Sequence, residues 1–171
     1  MIVYKVQKKL VWLMSLLLLL SFFFTYSVYV SDFSAGAMVV CAVMILFLAY
    51  NLAVLLSKRF IVKEGVIHQD TLLGKKEIDM KEIEEIGVVN LRWRLILILS
   101  DPYKFVFISS LYANFEEFID FMRSQVSDSC KGQLDKISHK RVRRKNDFLV
   151  LMMALGILFF LFSGFYNLIY R

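Results

Sequence analysis

Two runs of this sequence carry residue types that could do chemistry, and both are cationic. Arg92-Trp93-Arg94 sets an indole between two guanidinium groups, a trio able to engage lipid headgroups or a partner surface. Further on, His139 is followed by Lys140, Arg141, Arg143, Arg144 and Lys145, interrupted only by Val142, and a cluster of that kind can bind nucleic acid or anionic lipid. Each run also has a plainer role, which the sequence favours. Trp93 would pack into a core with Arg92 and Arg94 solvated, and the second run would chiefly orient a neighbouring membrane span.

The remaining candidates for chemistry fall away on spacing. His68 and His139 are the only histidines, and with Cys130 they show no metal-ligand spacing. Neither histidine has the Ser-Asp or Cys context of a nucleophile. The seven glycines are scattered, so no phosphate-cradling loop is expected. Glu82, Glu84 and Glu85 alternate with Ile83 and Ile86, the pattern of a solvated face rather than of an acid–base group. Cys41 lies in an apolar stretch and Cys130 in a polar one, so no disulfide is expected and no oxidising compartment is indicated. The expectation is a protein with no catalytic residue, no cofactor and no metal.

The elements that must position the basic runs follow from charge segregation. Hydrophobic residues make up 58% of the 171 and charged residues 21%, yet stretches 10–31, 33–57 and 148–170 hold no Asp, Glu, Lys or Arg. Three helices at 10–30, 37–56 and 148–169 are each long enough to cross a hydrocarbon core of about 30 Å at about 1.5 Å per residue. Trp12, Tyr26 and Tyr29 stand where interfacial aromatics belong. Ala35-Gly36-Ala37 resembles a signal-peptide cleavage site, but the apolar stretch is too long and a second follows at once. Ser31–Gly36 then joins the first two helices in a tight hairpin, with Ser34 as N-cap. Ala42, Ala49 and Ala53 would let a helix approach closely. Asn51 is expected to bond a neighbouring helix or interfacial water rather than to form a transport site. Gly156 and Gly164, with Phe160 between them, could form a helix-packing groove or be surrounded by lipid-facing bulk.

The positive charges also give a topology. A basic tail at 1–9 with Lys5, Lys8 and Lys9, the stop at Lys58 and Arg59, and a basic linker at 129–147 all flank spans on one side, whereas Asp32 and Arg171 fall on the other. The positive-inside rule places the N-terminus and residues 58–128 in the cytosol and the C-terminus outside. Leu134, Ile137 and Val142 could help the linker lie along the interface. The net charge of +6 is thus a topological signal, and nucleic acid is not an expected partner.

Between the spans, residues 58–128 alternate charge with apolar residues. Strands are expected at Arg59–Lys63, Val66–Leu72, Lys75–Asp79, Gly87–Leu91, Leu95–Leu99 and Lys104–Ile108, with turns at Glu64-Gly65 and Asp101-Pro102. Ile83 and Ile86 suggest a brief helical turn. A closing helix begins at Asn114 as N-cap with Glu117 at N3. Its stripe of Phe115, Phe118, Ile119, Met122 and Val126 should cover the sheet.

Arg59–Gly65, then Thr71–Lys76 with its Leu-Leu-Gly-Lys-Lys, then Lys81-Glu82-Ile83-Glu84-Glu85-Ile86 resembles bacterial pleckstrin-homology-type membrane proteins. The likeness covers about 70 residues plus the hairpin. Met80 stands where that group commonly has an aromatic residue, and a third span after the domain is less usual. The resemblance implies an α+β membrane protein: three transmembrane helices, a hairpin plus a C-terminal single span, with a small pleckstrin-homology-like barrel capped by a helix. It also implies a bacterial inner membrane. It carries no phosphoinositide site here, because the first hairpin loop is only Lys63-Glu64-Gly65. The expected role is non-enzymatic binding or scaffolding at the bilayer, with membrane lipid and a protein as partners. The alternative is an accessory or immunity-type protein whose helices act on a toxin, channel or transporter.

Overall fold

Tyr4 stacks on Phe60 with ring centroids 4.4 Å apart, so the basic tail read at 1–9 contributes a strand to the fold. Ile2–Lys5 is a strand, β1, antiparallel to β2 (Arg59–Lys63) with Tyr4 opposite Phe60. Burial of the Tyr4 ring and of Val6, together with the ladder to β2, offsets the chain entropy lost when a segment with three lysines is ordered. In the computed structural model the described residues are 2–31, 34–71, 74–126 and 128–170, with backbone alone for 128–130. They form an α+β chain with seven strands in two antiparallel sheets and five helices.

The chain divides into two units, Met1–Gln7 with Ser57–Leu149, and Lys8–Leu56 with Val150–Arg171. In the first, β1 and β2 continue into β3 (Val66–Thr71) and β4 (Gly74–Asp79) as a four-stranded meander. The β2–β3 turn holds Glu64 at φ 52° and Gly65 at φ 85°, the two positive dihedrals of a type I′ hairpin. Leu72 and Leu73, part of the expected second strand and its turn, lie outside the described residues. A 3₁₀ turn, Met80–Glu82, follows, with the Asp79 carboxylate accepting from the Lys81 amide.

The second sheet is β5 (Glu85–Asn90), β6 (Leu95–Ser100) and β7 (Phe105–Ser109). Leu95, Leu97 and Leu99 are buried along β6 while Ile96 and Ile98 are half-buried, so the central strand packs one face on the core. Asp101 builds the β6–β7 turn by accepting from the amides of Tyr103 and Lys104 at 2.7 and 2.6 Å. Residues 5–7 bond the segment after β7, Gln7 N–H to Leu111 O at 3.0 Å and Ala113 N–H to Lys5 O at 2.8 Å. On the far side the sheets are joined by side chains. Gln69 donates to Phe107 O at 2.6 Å and Lys76 to Phe105 O at 3.1 Å.

Helix α3 (Phe115–Gln125) covers this core with Phe115, Phe118, Ile119 and Met122. Phe60 lies at the centre, edge-to-face with Tyr112 at 4.8 Å and Phe118 at 5.0 Å. Asn114 occupies the N-cap position but in the left-handed region, φ 55°, without a side-chain cap bond. The expected capping box is therefore replaced by a backbone bend. The region expected as a linker at 129–147 is largely helical: α4 is Asp128–Leu134, and α5 runs unbroken from His139 to Ile169. Leu134, Ile137 and Val142 are buried in this unit, which corrects their expected place along a membrane interface.

The second unit is built from α1 (Lys8–Ser31), α2 (Ala35–Ser57) and the later part of α5. All three helices are long and apolar enough to cross a membrane, which marks the chain as a membrane protein. Met14, Leu48 and Phe160 form its core with Leu17, Phe24, Met44 and Met153 around them. Gly156 and Gly164 face α1: an added Cβ would sit 3.1 Å from Leu17 and 2.5 Å from the Phe23 ring. They let the helices approach closely. Ser31 donates to Asn167 O at 2.7 Å, a further tie between α1 and α5. Asn51 donates to Phe47 O at 2.8 Å within its own helix, not across to another. Asp32 and Arg171, the charges expected on the opposite side, lie outside the described residues.

Candidate functional site

The β5–β6 turn, Leu91-Arg92-Trp93-Arg94, is short and sets an exposed arginine and tryptophan at its tip, with Arg94 half-buried behind them. The Leu91 amide donates to Arg94 O at 3.0 Å and closes it. Trp93 at its tip is 49% exposed, which corrects the expectation of a core tryptophan. A type of side chain that would bury well is held out because β5 and β6 pair up to Asn90 and Leu95 and leave only the turn residues between.

The start of α5 supplies the second half of the site. Val142 and Asn146, one turn apart, are buried in the first unit, and the sequence spacing then fixes the other faces. Arg141, Arg144, Lys145 and Phe148 fall at i, i+3, i+4 and i+7 on an adjacent face. Asn146 locks the helix by donating to Ser110 O at 3.1 Å and accepting from the Ser110 hydroxyl at 3.4 Å. Lys145 reaches across and donates to Leu91 O.

The consequence is that two runs some fifty positions apart meet. Asn90, Arg92, Arg141, Arg144, Lys145 and Phe148 line one open pocket of about 410 Å³. Four of these are cations, and no Asp or Glu is among them. Trp93 and Arg94 stand on the same turn beyond the pocket lining, while Lys140 and Arg143 are exposed on α5. Nearby, Lys58 is held below the usual lysine range by its burial and then by the Arg94 charge. The Arg94 Nε is buried with no hydrogen-bond partner among the described residues. Positive charge is therefore concentrated in the lining of this pocket.

Compared with known protein families, curated proteins and solved structures, the chain shows no match. The functional reading rests on the site alone. His139, the first residue of α5, is turned to the other side, 3.5 Å from Glu116 and 3.2 Å from Asp120, and takes no part in the pocket. His68 pairs with Glu77 at 2.9 Å. No group of three or more His, Cys, Asp or Glu that could hold a metal occurs among the described residues.

Sequence reasoning missed Asn90, Asn146 and Phe148. Asn146 had a legible signal, since it repeats Val142 at i+4 and is polar where the helix must be buried. A second depression of about 520 Å³ is lined by Lys75, Lys76, Glu77, Tyr103, Lys104 and Phe105. There an acid is present, and Lys76 is already engaged by Phe105 O and lies 5.8 Å from the Phe107 ring centroid. It is the weaker site for an anion.

Proposed function

We propose that this chain is a non-enzymatic binding or scaffold protein of a bacterial inner membrane, working through a pleckstrin-homology-like domain on the cytosolic surface. Supporting the domain reading is the order of two antiparallel sheets of four and three strands followed by an amphipathic helix over their core. For the orientation the support is positional. Lys58, Arg59 and the α5 basic run flank apolar helices, and such charges are retained on the cytosolic side.

The single observation that carries the function is the meeting of Arg92 with Arg141, Arg144 and Lys145 beside Phe148. Phe148 opens the uncharged stretch of α5. At about 1.5 Å per residue, Arg141 is about 10 Å along the helix from it, so the pocket falls at the depth of lipid headgroups. A binding surface at that level meets the bilayer first, and a protein partner only if it too approaches the membrane. The test is affinity capture with the full chain in detergent, against an Arg92→Gln/Arg144→Gln variant. Loss of the captured partner in the variant is expected. Full retention would place binding on the helices, the accessory or immunity-type role.

A further inference from the structure

We infer that the pocket between the β5–β6 turn and the first turns of α5 is a phosphate site, filled by the phosphate of an anionic membrane phospholipid. This rests on the reading of the chain as a membrane-held binding protein and names the ligand of that same surface.

Chemistry selects phosphate. Three arginines and a lysine converge without a carboxylate, and a guanidinium presents a planar fork of donors that matches two oxygens of a tetrahedral oxyanion. Lys145 already gives one bond to Leu91 O, so it acts as a strut that holds the turn against the helix. Arg92, Arg141 and Arg144 remain exposed and supply the donors. Asn90 adds a neutral polar group, and Phe148 adds an apolar rim. A ligand with a phosphate joined to a hydrocarbon part satisfies both sides of that rim, which a small soluble anion does not.

A second, separate observation supports an anion. On the same turn Arg94 has its Nε buried and unbonded among the described residues, and it shares a like charge with the half-buried Lys58. An oxyanion outside the turn lowers the cost of that like charge by Coulomb attraction through a medium less polar than water.

The experiment uses the full chain in nanodiscs and in detergent. Native mass spectrometry counts phosphatidylglycerol and phosphatidylcholine retained by the unaltered protein, by Arg92→Gln/Arg144→Gln, and by the charge-matched control Lys75→Gln/Lys104→Gln. In parallel, inorganic phosphate and pyrophosphate are titrated while Trp93 fluorescence is read in a Trp12→Phe background. The expected result is selective retention of phosphatidylglycerol, weakened about tenfold or more in the site variant and within about twofold in the control. A saturable Trp93 response to phosphate alone, lost in the site variant with no lipid preference, would keep the phosphate chemistry and reassign its source to a soluble ligand. Equal losses in both variants, or no binding of either ligand, would overturn the site. The underlying reading fails by a different sign, release of the chain from membranes by alkaline carbonate.

Discussion

Lys58 shows how one residue reports on the charge around it. Burial first, and Arg94 second, hold its ammonium below the usual lysine range. A group whose native pKa is depressed below its unfolded value of about 10.4 is deprotonated more readily when folded. Charged Lys58 therefore subtracts from stability at neutral pH, and that loss fades as pH rises through its native pKa toward the unfolded one. Lys58→Gln should raise the melting temperature at pH 7, with the difference narrowing above about pH 10. A variant that melts lower at pH 7 would contradict this. Glu64 offers a second single-residue test. It sits at φ 52° beside Gly65 in a two-residue turn, a conformation that asparagine tolerates better than glutamate. Glu64→Asn should relieve part of the left-handed cost of about 1–2 kcal/mol and stabilise the fold, measured by denaturant unfolding in detergent, and no gain would show that the strain is absorbed elsewhere.

At the scale of elements, α5 is decisive, because it belongs to both units and carries half of the pocket. Its 31 residues extend about 46 Å at about 1.5 Å each, more than a hydrocarbon core of about 30 Å requires. The excess is the basic start, and Asn146 fastens it. Asn146→Ala removes both hydrogen bonds that Asn146 makes to Ser110 and leaves the buried Ser110 groups short of a partner, at a cost of about 1–3 kcal/mol. Hydrogen exchange should report faster opening of residues 139–147 together with 90–95. Faster exchange confined to α5 would mean that the turn and the helix are not coupled. Elements of this kind were only partly legible in the sequence. Charge-free runs gave α1 and α2 to within a few residues, since composition alone decides them. The start of α5 was hidden because a run of five cations reads as a solvated linker when its buried neighbours, Val142 and Asn146, are taken singly. β1 was hidden for a related reason. Ile2, Val3 and Tyr4 are strand formers, but four residues are too few to show a period, and Tyr4 is buried because Phe60 is there to receive it.

For the whole molecule, what the sequence could not reveal was convergence. Arg92 and Arg144 were each visible as candidates, but no local pattern states that a turn and a helix fifty positions apart will meet. That depends on the register of β5 with β6 and on two side-chain bonds, from Lys145 to Leu91 and from Asn146 to Ser110. The central claim is that this joined surface works at headgroup depth. The chain has two tryptophans, so a Trp12→Phe variant leaves Trp93 as a native depth probe on the turn that carries Arg92. Its fluorescence is to be measured in vesicles whose lipids bear a spin label either at the headgroup or at the middle of the acyl chain. Strong quenching by the headgroup label and little by the mid-chain label is the predicted result. Trp93 emission unaffected by the headgroup label would contradict the account.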